Sequence, residues 1–314
     1  MLTLLSKEYK IIFVLLFMSH EKDCYYVSSR GILNSCDIYS YTPISSINQL
    51  INYNKTLTSQ DYRPIIYVCN SAIRSFLNNI SDIKCKFILV SGDSDSTIPY
   101  DVFINQEEFI KFIQSDNIIH WYSQNCIMEH PKITRIPIGL DYHTLSQGNY
   151  KWGPQSLPLN QESDLITIKN LAKPFWERKV KCYSNFHFNF YKFGQDRKDA
   201  IQKIPSSLIF YETNEVPRLD SWEKQSEYSF VVSPHGNGLD CHRTWEALVL
   251  GCIVIVKTSG LDSLYKDLPV LIVNDWCDID DDLLKDTIVN FKEKKFDYNK
   301  LTLNYWKNKI KASK

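Results

Sequence analysis

The chain has no excess of charge of either sign: 36 Lys and Arg stand against 36 Asp and Glu in 314 residues. A protein that coats nucleic acid usually carries a basic stripe that captures phosphates, so a neutral chain is a poor candidate for that class. It has no Cys-x-x-Cys pair. Its nine cysteines, Cys24, Cys36, Cys69, Cys85, Cys126, Cys182, Cys241, Cys252 and Cys277, are odd in number and widely scattered. That spacing disfavours a disulfide framework or a zinc site and points to reduced thiols in a cytoplasmic compartment. No apolar run reaches the ~20 residues that a bilayer span needs. The most apolar one, Ile11 to Met18, is flanked by Lys7, Glu8 and Lys10 and by His20, Glu21, Lys22 and Asp23. It also lacks a small-residue cleavage site and reads as a buried parallel strand. No Gly-x-Gly-x-x-Gly fingerprint, P-loop or Cys/His cluster is present, which argues against a dehydrogenase or a nuclease. Alanine is scarce and Ile, Asn, Lys and Tyr abundant, as expected of an A/T-rich coding sequence. In so Asn-rich a chain the sequons at Asn54 and Asn79 are expected by chance.

What is there is a folded chain, 44% hydrophobic and 13% aromatic, long enough for two domains or one large one. Short β-rich runs alternate with helix-length polar segments, the pattern of α/β proteins with parallel sheets. In the first half, strands are predicted at 65–69, 87–90, 118–121 and 133–138, with helices at 44–53, 71–78 and 106–115. Residues 145–159 contain two glycines and two prolines without periodicity and suggest a linker, so the domains are set at 1–155 and 156–314. The second half restarts the rhythm, with strands at 180–184, 208–211, 228–232, 253–256 and 270–273. A helix is expected to open at the acidic stretch 278–282 and to end near Lys294, and another to close the chain. Two such halves suggest a cleft outside the carboxyl ends of the strands.

The chemistry concentrates in SPHGNGLDCHRTWEALVLGC, Ser233 to Cys252. Gly236 and Gly238 permit positive φ and close approach to a ligand. The helix that follows presents free N–H groups, a favourable seat for phosphate. Asp240 is placed to cap it, and Arg243 on its first turn is suited to bidentate binding of a diphosphate. Glu246 lies three residues on, able to accept from a ribose diol. Taken alone, Arg243 and Glu246 would be an ordinary salt bridge on a solvated face; the flanking glycines and strands favour a site.

The run SPHGNGLDCHRTWEALVLGCIVIV, with LDSLYKDLPVLIVNDW from Leu261 to Trp276, resembles the nucleotide-sugar-binding half of exostosin-like glycosyltransferases. The matching features are a Ser-Pro-x-Gly turn, an Arg followed three residues later by a Glu, a Gly-Cys-Ile run into a strand and a Leu-Pro before the last strand. The resemblance covers about 45 residues and fades in the first half. It implies an α/β fold of GT-B type, two Rossmann-like parallel-sheet domains facing across a cleft. It also implies transfer of a sugar from a nucleotide-diphosphate sugar to a glycan or other hydroxyl acceptor, with no cofactor and no metal. On this reading Arg243 neutralises the leaving diphosphate and Glu246 holds the ribose. Ser233, His235, Gly236, Asn237 and Gly238 line the pocket, and Arg197 supplies a second cation. His235 stands where an Arg or Lys is often found.

Sugar transfer also needs a base for the acceptor hydroxyl. Asp93, Asp95, Asp141 and His143 lie after predicted strands of the first half, with Asp93 preferred and His20 weaker. Two alternatives stay open. A metal-dependent GT-A enzyme would use Asp93-Ser-Asp95, or Asp278-Ile-Asp280, on Mn²⁺ or Mg²⁺; a non-catalytic nucleotide- or carbohydrate-binding module would keep the fold without turnover. The lean length predicts an acceptor site built from short loops of the first half.

Overall fold

The computed structural model describes residues 21–40, 62–148, 150–186 and 192–314. The apolar run 11–18, His20, the helix expected at 44–53 and the sequon at Asn54 lie outside the described residues. Among the described residues, nine strands form two sheets. The first contains β1 (Ile65–Cys69), β2 (Phe87–Gly92), β3 (Ile118–Ser123) and β4 (Ile133–Arg135) in that spatial order, every neighbouring pair parallel. The second contains β5 (Lys179–Ser184), β6 (Ile209–Tyr211), β7 (Tyr228–Val232), β8 (Ile253–Lys257) and β9 (Val270–Val273), ordered β6-β5-β7-β8-β9 and again wholly parallel. Ten α-helices of the described residues accompany them: α1 (Ser29–Leu33), α2 (Ile73–Leu77), α3 (Gln106–Ile113), α4 (His143–Ser146), α5 (Pro158–Leu171), α6 (Gly194–Lys203), α7 (Arg218–Gln225), α8 (His242–Val249), α9 (Asp281–Lys292) and α10 (Leu303–Lys311). The expected architecture of two Rossmann-like parallel-sheet halves facing across a cleft is therefore present.

Parallel strands covered on both faces need apolar residues at every position, and β1 and β2 are buried throughout. Their alternate residues divide between two cores, as the two-residue strand period requires. Ile66, Val68, Leu89 and Trp121 pack outward against Phe76, Phe109 and Phe112. Ile65, Tyr67, Ile88, Val90 and Tyr122 face inward. In the second sheet Cys182, Phe230, Val232, Ile253 and Ile255 form the outer core, whereas Tyr183, Val231, Val254 and Val256 turn inward. The two inward faces, with Trp245, Leu303, Trp306 and Ile310, belong to one continuous apolar cluster. The halves thus share a middle layer.

The chain tail closes that layer. Val27 N donates to Leu301 O at 2.9 Å and Leu303 N to Tyr25 O at 2.9 Å, and Tyr122 Oη donates to Lys309 O at 2.8 Å. The helix α10 therefore packs on the first half although it follows the second in sequence. The expected linker holds α4 at its start, and α5 begins at Pro158 within it. No periodicity betrayed α5 because its buried face includes Gln161 and Glu162 beside Leu165 and Ile168. Glu162 accepts from Tyr25 N and Tyr26 N, both at 2.9 Å, and from Tyr142 Oη at 2.7 Å. The helix α9 opens within the acidic stretch as expected, capped by Asp280 through Leu283 N at 2.7 Å, and ends at Lys292. All nine cysteines are free thiols.

Candidate active site

In the second sheet the chain winds outward from β5 to β6 and then crosses back to β7, so the strand order reverses between β5 and β7. That reversal leaves a crevice at their carboxyl ends where ligands bind in this class of sheet. A cleft of about 1010 Å³ opens there, and its walls come from both halves, including Asp95, Asp141, Trp152, Phe186, Arg197 and Arg243.

Arg243 stands on the first turn of α8, at the cleft. Its hydrogen bonds go to neutral acceptors, Nε to Ser233 Oγ at 3.3 Å and Nη2 to Pro234 O at 2.9 Å, and the guanidinium lies 5.6 Å from the Phe186 ring centroid. Burial draws its pKa down to about 10, and Arg197 adds to the fall. Burial also lowers Arg197, whose Nε donates to His235 O at 3.2 Å. The contrast is Arg218 on α7. It is as deeply placed, yet Asp141 and Glu246 outweigh burial and raise its pKa. Its Nη2 lies 2.6 Å from Asp141 Oδ2 and its Nε 3.9 Å from Glu246 Oε1, and Nη1 donates to Asp141 O. Arg218 is satisfied by carboxylates, whereas Arg243 hydrogen-bonds to a hydroxyl and a carbonyl.

The remaining expected residues divide. Gly236, Asn237, Gly238, Glu246 and Asp95 line the cleft. Ser233 lies behind it, its Oγ 2.8 Å from Thr244 Oγ1. Neither Gly236 nor Gly238 takes positive φ, which corrects the reason given for them. Crowding is the cause: a Cβ on Gly236 would sit 2.8 Å from Arg197 Nη2, and one on Gly238 3.0 Å from Asn125 Nδ2 and 3.3 Å from Asp95. Glu246 turns to Arg218 rather than Arg243. His235 is held by Asp196, Nδ1 to Oδ2 at 3.1 Å and backbone N to Oδ2 at 2.8 Å, and does not line the cleft. Burial pushes Asp196 up, but His235 and Trp276 hold it below its ordinary value.

Asp240 does not cap α8, whose N-cap is Cys241. Its carboxylate is buried between the halves, accepting from Ile138 N at 2.8 Å on one side and Trp245 Nε1 at 2.8 Å on the other, and its backbone N donates to Asn125 Oδ1 at 2.9 Å. Asp93, at φ 49°, faces Arg30 at 3.6 Å and does not reach the cleft. Asp93 and Asp95 therefore point apart and do not converge on one cation. The second Asp-x-Asp is spent on caps, Asp278 on Asn274 N and Asp275 N and Asp280 on α9.

His143 is likewise behind the cleft wall, its Nδ1 3.1 Å from Asp141 Oδ1. Missed by the sequence reading was His242, the residue before Arg243. It lines the cleft, its Nδ1 is 2.7 Å from Gly139 O, and its ring centroid is 5.8 Å from that of His143. Its position next to Arg243 at a helix start was the available signal. Asp141, His143 and His242 each bring one possible ligand atom within 4.8 Å of the others. Asp141, however, is already engaged by His143, Thr144 N at 3.0 Å and the Arg218 guanidinium, whose charge would repel a cation. The trio is a hydrogen-bonded cluster, and the fit to a metal is poor.

Two buried groups give this region a pH signature. Burial lowers His143 from 6.5 to about 4 and raises Asp240 from 3.8 to about 6. His143 therefore contributes stability that is intact above pH 6.5 and is lost as pH falls through about 4. Asp240 contributes stability present below pH 3.8 and lost as pH rises through about 6. At about 1.4 kcal/mol per pKa unit each is worth about 3 kcal/mol, with opposite sign. The expected result for His143→Gln is a variant-minus-wild-type unfolding free energy, from urea titrations at pH 7 and pH 4, that moves by about 2–3 kcal/mol in the variant's favour on acidification. An unchanged difference would show that His143 is not buried neutral.

No protein-family model matches the chain, and no curated protein matches it. Among solved structures it is similar to an alpha,alpha-trehalose-phosphate synthase (UDP-forming) from Burkholderia vietnamiensis, with a TM-score of 0.45 and 11% identity over 95% of this chain and 80% of that one. It is similar to an alpha,alpha-trehalose 6-phosphate synthase from Burkholderia multivorans at a TM-score of 0.45 and 12% identity, over 95% and 79% of the two chains. Likenesses this distant bear on neither substrate nor residue roles, which rest on the cleft itself.

Proposed function

We propose that this chain is a metal-independent glycosyltransferase of the exostosin-like kind, moving a sugar from a nucleotide-diphosphate sugar to a glycan or other hydroxyl acceptor. One observation carries the reading. Arg243 and Arg197, both with pKa values depressed by burial, stand together beside the Ser233–Gly238 turn at the strand-order reversal. A diphosphate supplies the negative charge that the hydroxyl and carbonyl partners of Arg243 do not, and the bidentate guanidinium fork matches its oxygens. Glu246 borders the same cleft and is available to a ribose hydroxyl. The first half, with Asp95 on the cleft wall, takes the acceptor. No helix among the described residues is long and apolar enough to cross a membrane, and the free thiols favour a cytoplasmic setting.

The divergence of Asp93 and Asp95 weighs against the GT-A alternative. The test is a thermal-shift screen against UDP-, GDP-, CMP- and dTDP-sugars, in which a donor at 100 times its Kd adds about 2.7 kcal/mol of stability. A shift that persists in EDTA is expected. No shift with any donor would overturn the proposal, and a shift without nucleotide release would leave a binding module.

A further inference from the structure

We propose that His242 is the general base that takes the proton from the acceptor hydroxyl, an assignment that rests on the glycosyl-transfer reading above. The argument starts from Gly139. Its φ of 68° and the 2.2 Å that would separate a Cβ there from Val27 O make glycine obligatory. The backbone around it is held by the antiparallel bridge from Gly139 to Ser28 and by Leu140 N donating to Val27 O at 2.8 Å. The carbonyl of Gly139 is thereby fixed, and it accepts from His242 Nδ1 at 2.7 Å. A carbonyl oxygen can only accept, so Nδ1 carries the hydrogen and the neutral ring has its lone pair on Nε2. The ring borders the cleft.

The neighbours suit the role. His242 and Arg243 are consecutive at the start of α8, so their side chains diverge: Arg243 toward Ser233 and Pro234 in the second half, His242 toward Gly139 in the first. The charged and titratable groups around His242 are Asp141 and His143 from the first half, Arg218 from α7, and Asp240, Arg243 and Glu246 on its own segment. Asp141 is tied to Arg218 and His143, and Glu246 faces Arg218. Of the residues expected from the sequence to act as base, Asp93 is turned to Arg30 and His143 lies behind the wall, while Asp95 lines the cleft against the turn at Gly238 and beside Arg197.

The step balances without a further reagent. The acceptor O–H proton passes to Nε2 as the oxygen's electron pair forms the bond to the anomeric carbon. The bond from that carbon to the diphosphate oxygen breaks, and its electron pair leaves with the nucleoside diphosphate beside Arg243. The imidazolium then returns its proton to water. Direct displacement of this kind inverts the anomeric centre.

His242→Asn and His242→Gln are the test variants, examined in the whole chain with the donor that the thermal-shift screen identifies. Expected are an unchanged donor Kd, a kcat reduced by about 10²–10⁴-fold, and loss of the acidic limb of the pH–rate profile. ¹⁵N shifts of the wild-type ring should report hydrogen on Nδ1 at neutral pH, a readout independent of turnover and of the variants' folding. A kcat within about threefold of wild type with the acidic limb intact would overturn the base while leaving the glycosyltransferase reading standing, as would hydrogen on Nε2. A wild-type protein that releases no nucleotide from any donor would overturn both.

Discussion

Arg243→Ala is expected to reduce turnover of the nucleotide-sugar donor by about 10²–10³-fold, the cost of losing one group that stabilises charge developing on a leaving group. The expectation follows from the environment. Arg243 is buried enough for its pKa to fall to about 10, and its hydrogen bonds go to a hydroxyl and a carbonyl. The guanidinium is thus charged at neutral pH but incompletely compensated, and low local polarity magnifies its attraction for a diphosphate. Arg243→Lys should recover part of the binding and little of the rate, since an ammonium is a point charge without the planar fork. Steady-state kinetics in the presence and absence of EDTA check both. Activity that survives in Arg243→Ala and disappears in EDTA would transfer the diphosphate to a metal and overturn the assignment.

Arg218→Met is expected to destabilise the fold by about 3–5 kcal/mol, because it strands buried carboxylates without their cation. For a chain of this length that is a fall in Tm of roughly 5–8 °C. Arg218 is a strut between the halves: it holds Asp141 of the first and Glu246 of the second from α7. Burial pushes the Asp141 carboxyl up, but its neighbours His143, Arg218 and His242 hold it well below the usual range. Adding Asp141→Asn to Arg218→Met should restore a substantial part of the loss, as the stranded charge is then removed. Strict additivity of the two substitutions, measured by urea unfolding, would show that the residues are not coupled. The shared apolar layer between the sheets makes such a strut consequential, because the groups that shape the cleft are held by packing common to both halves.

Much of the frame was legible because parallel sheets write themselves plainly. Fully buried strands require unbroken apolar runs, and the strands at 65–69, 228–232 and 270–273 fall where those runs lie. The strand expected at 133–138 ends at Arg135, ahead of Pro137, which has no N–H for the ladder. The helix α5 was invisible because part of its buried face is polar and satisfied by Tyr25, Tyr26 and Tyr142, more than a hundred residues away for the first two. The turn at the cleft wall was legible as well, since glycines, a helix start and Arg243 lie within a dozen consecutive residues.

The sequence by itself determined the α/β class, the two-sheet plan and the local group Ser233–Glu246, because each follows from the spacing of neighbouring residues. Only the tertiary structure decided which of the candidates meet. It paired Glu246 with Arg218 instead of Arg243, withdrew Asp93, His143 and His235 from the cleft and turned Asp240 into a link between halves. It also set His242 against Gly139, 103 residues away in sequence. Partners that far apart leave no periodic trace; which carboxylate a guanidinium meets, and which nitrogen of a histidine keeps its hydrogen, depend on backbone brought together only when the two sheets close on their common core.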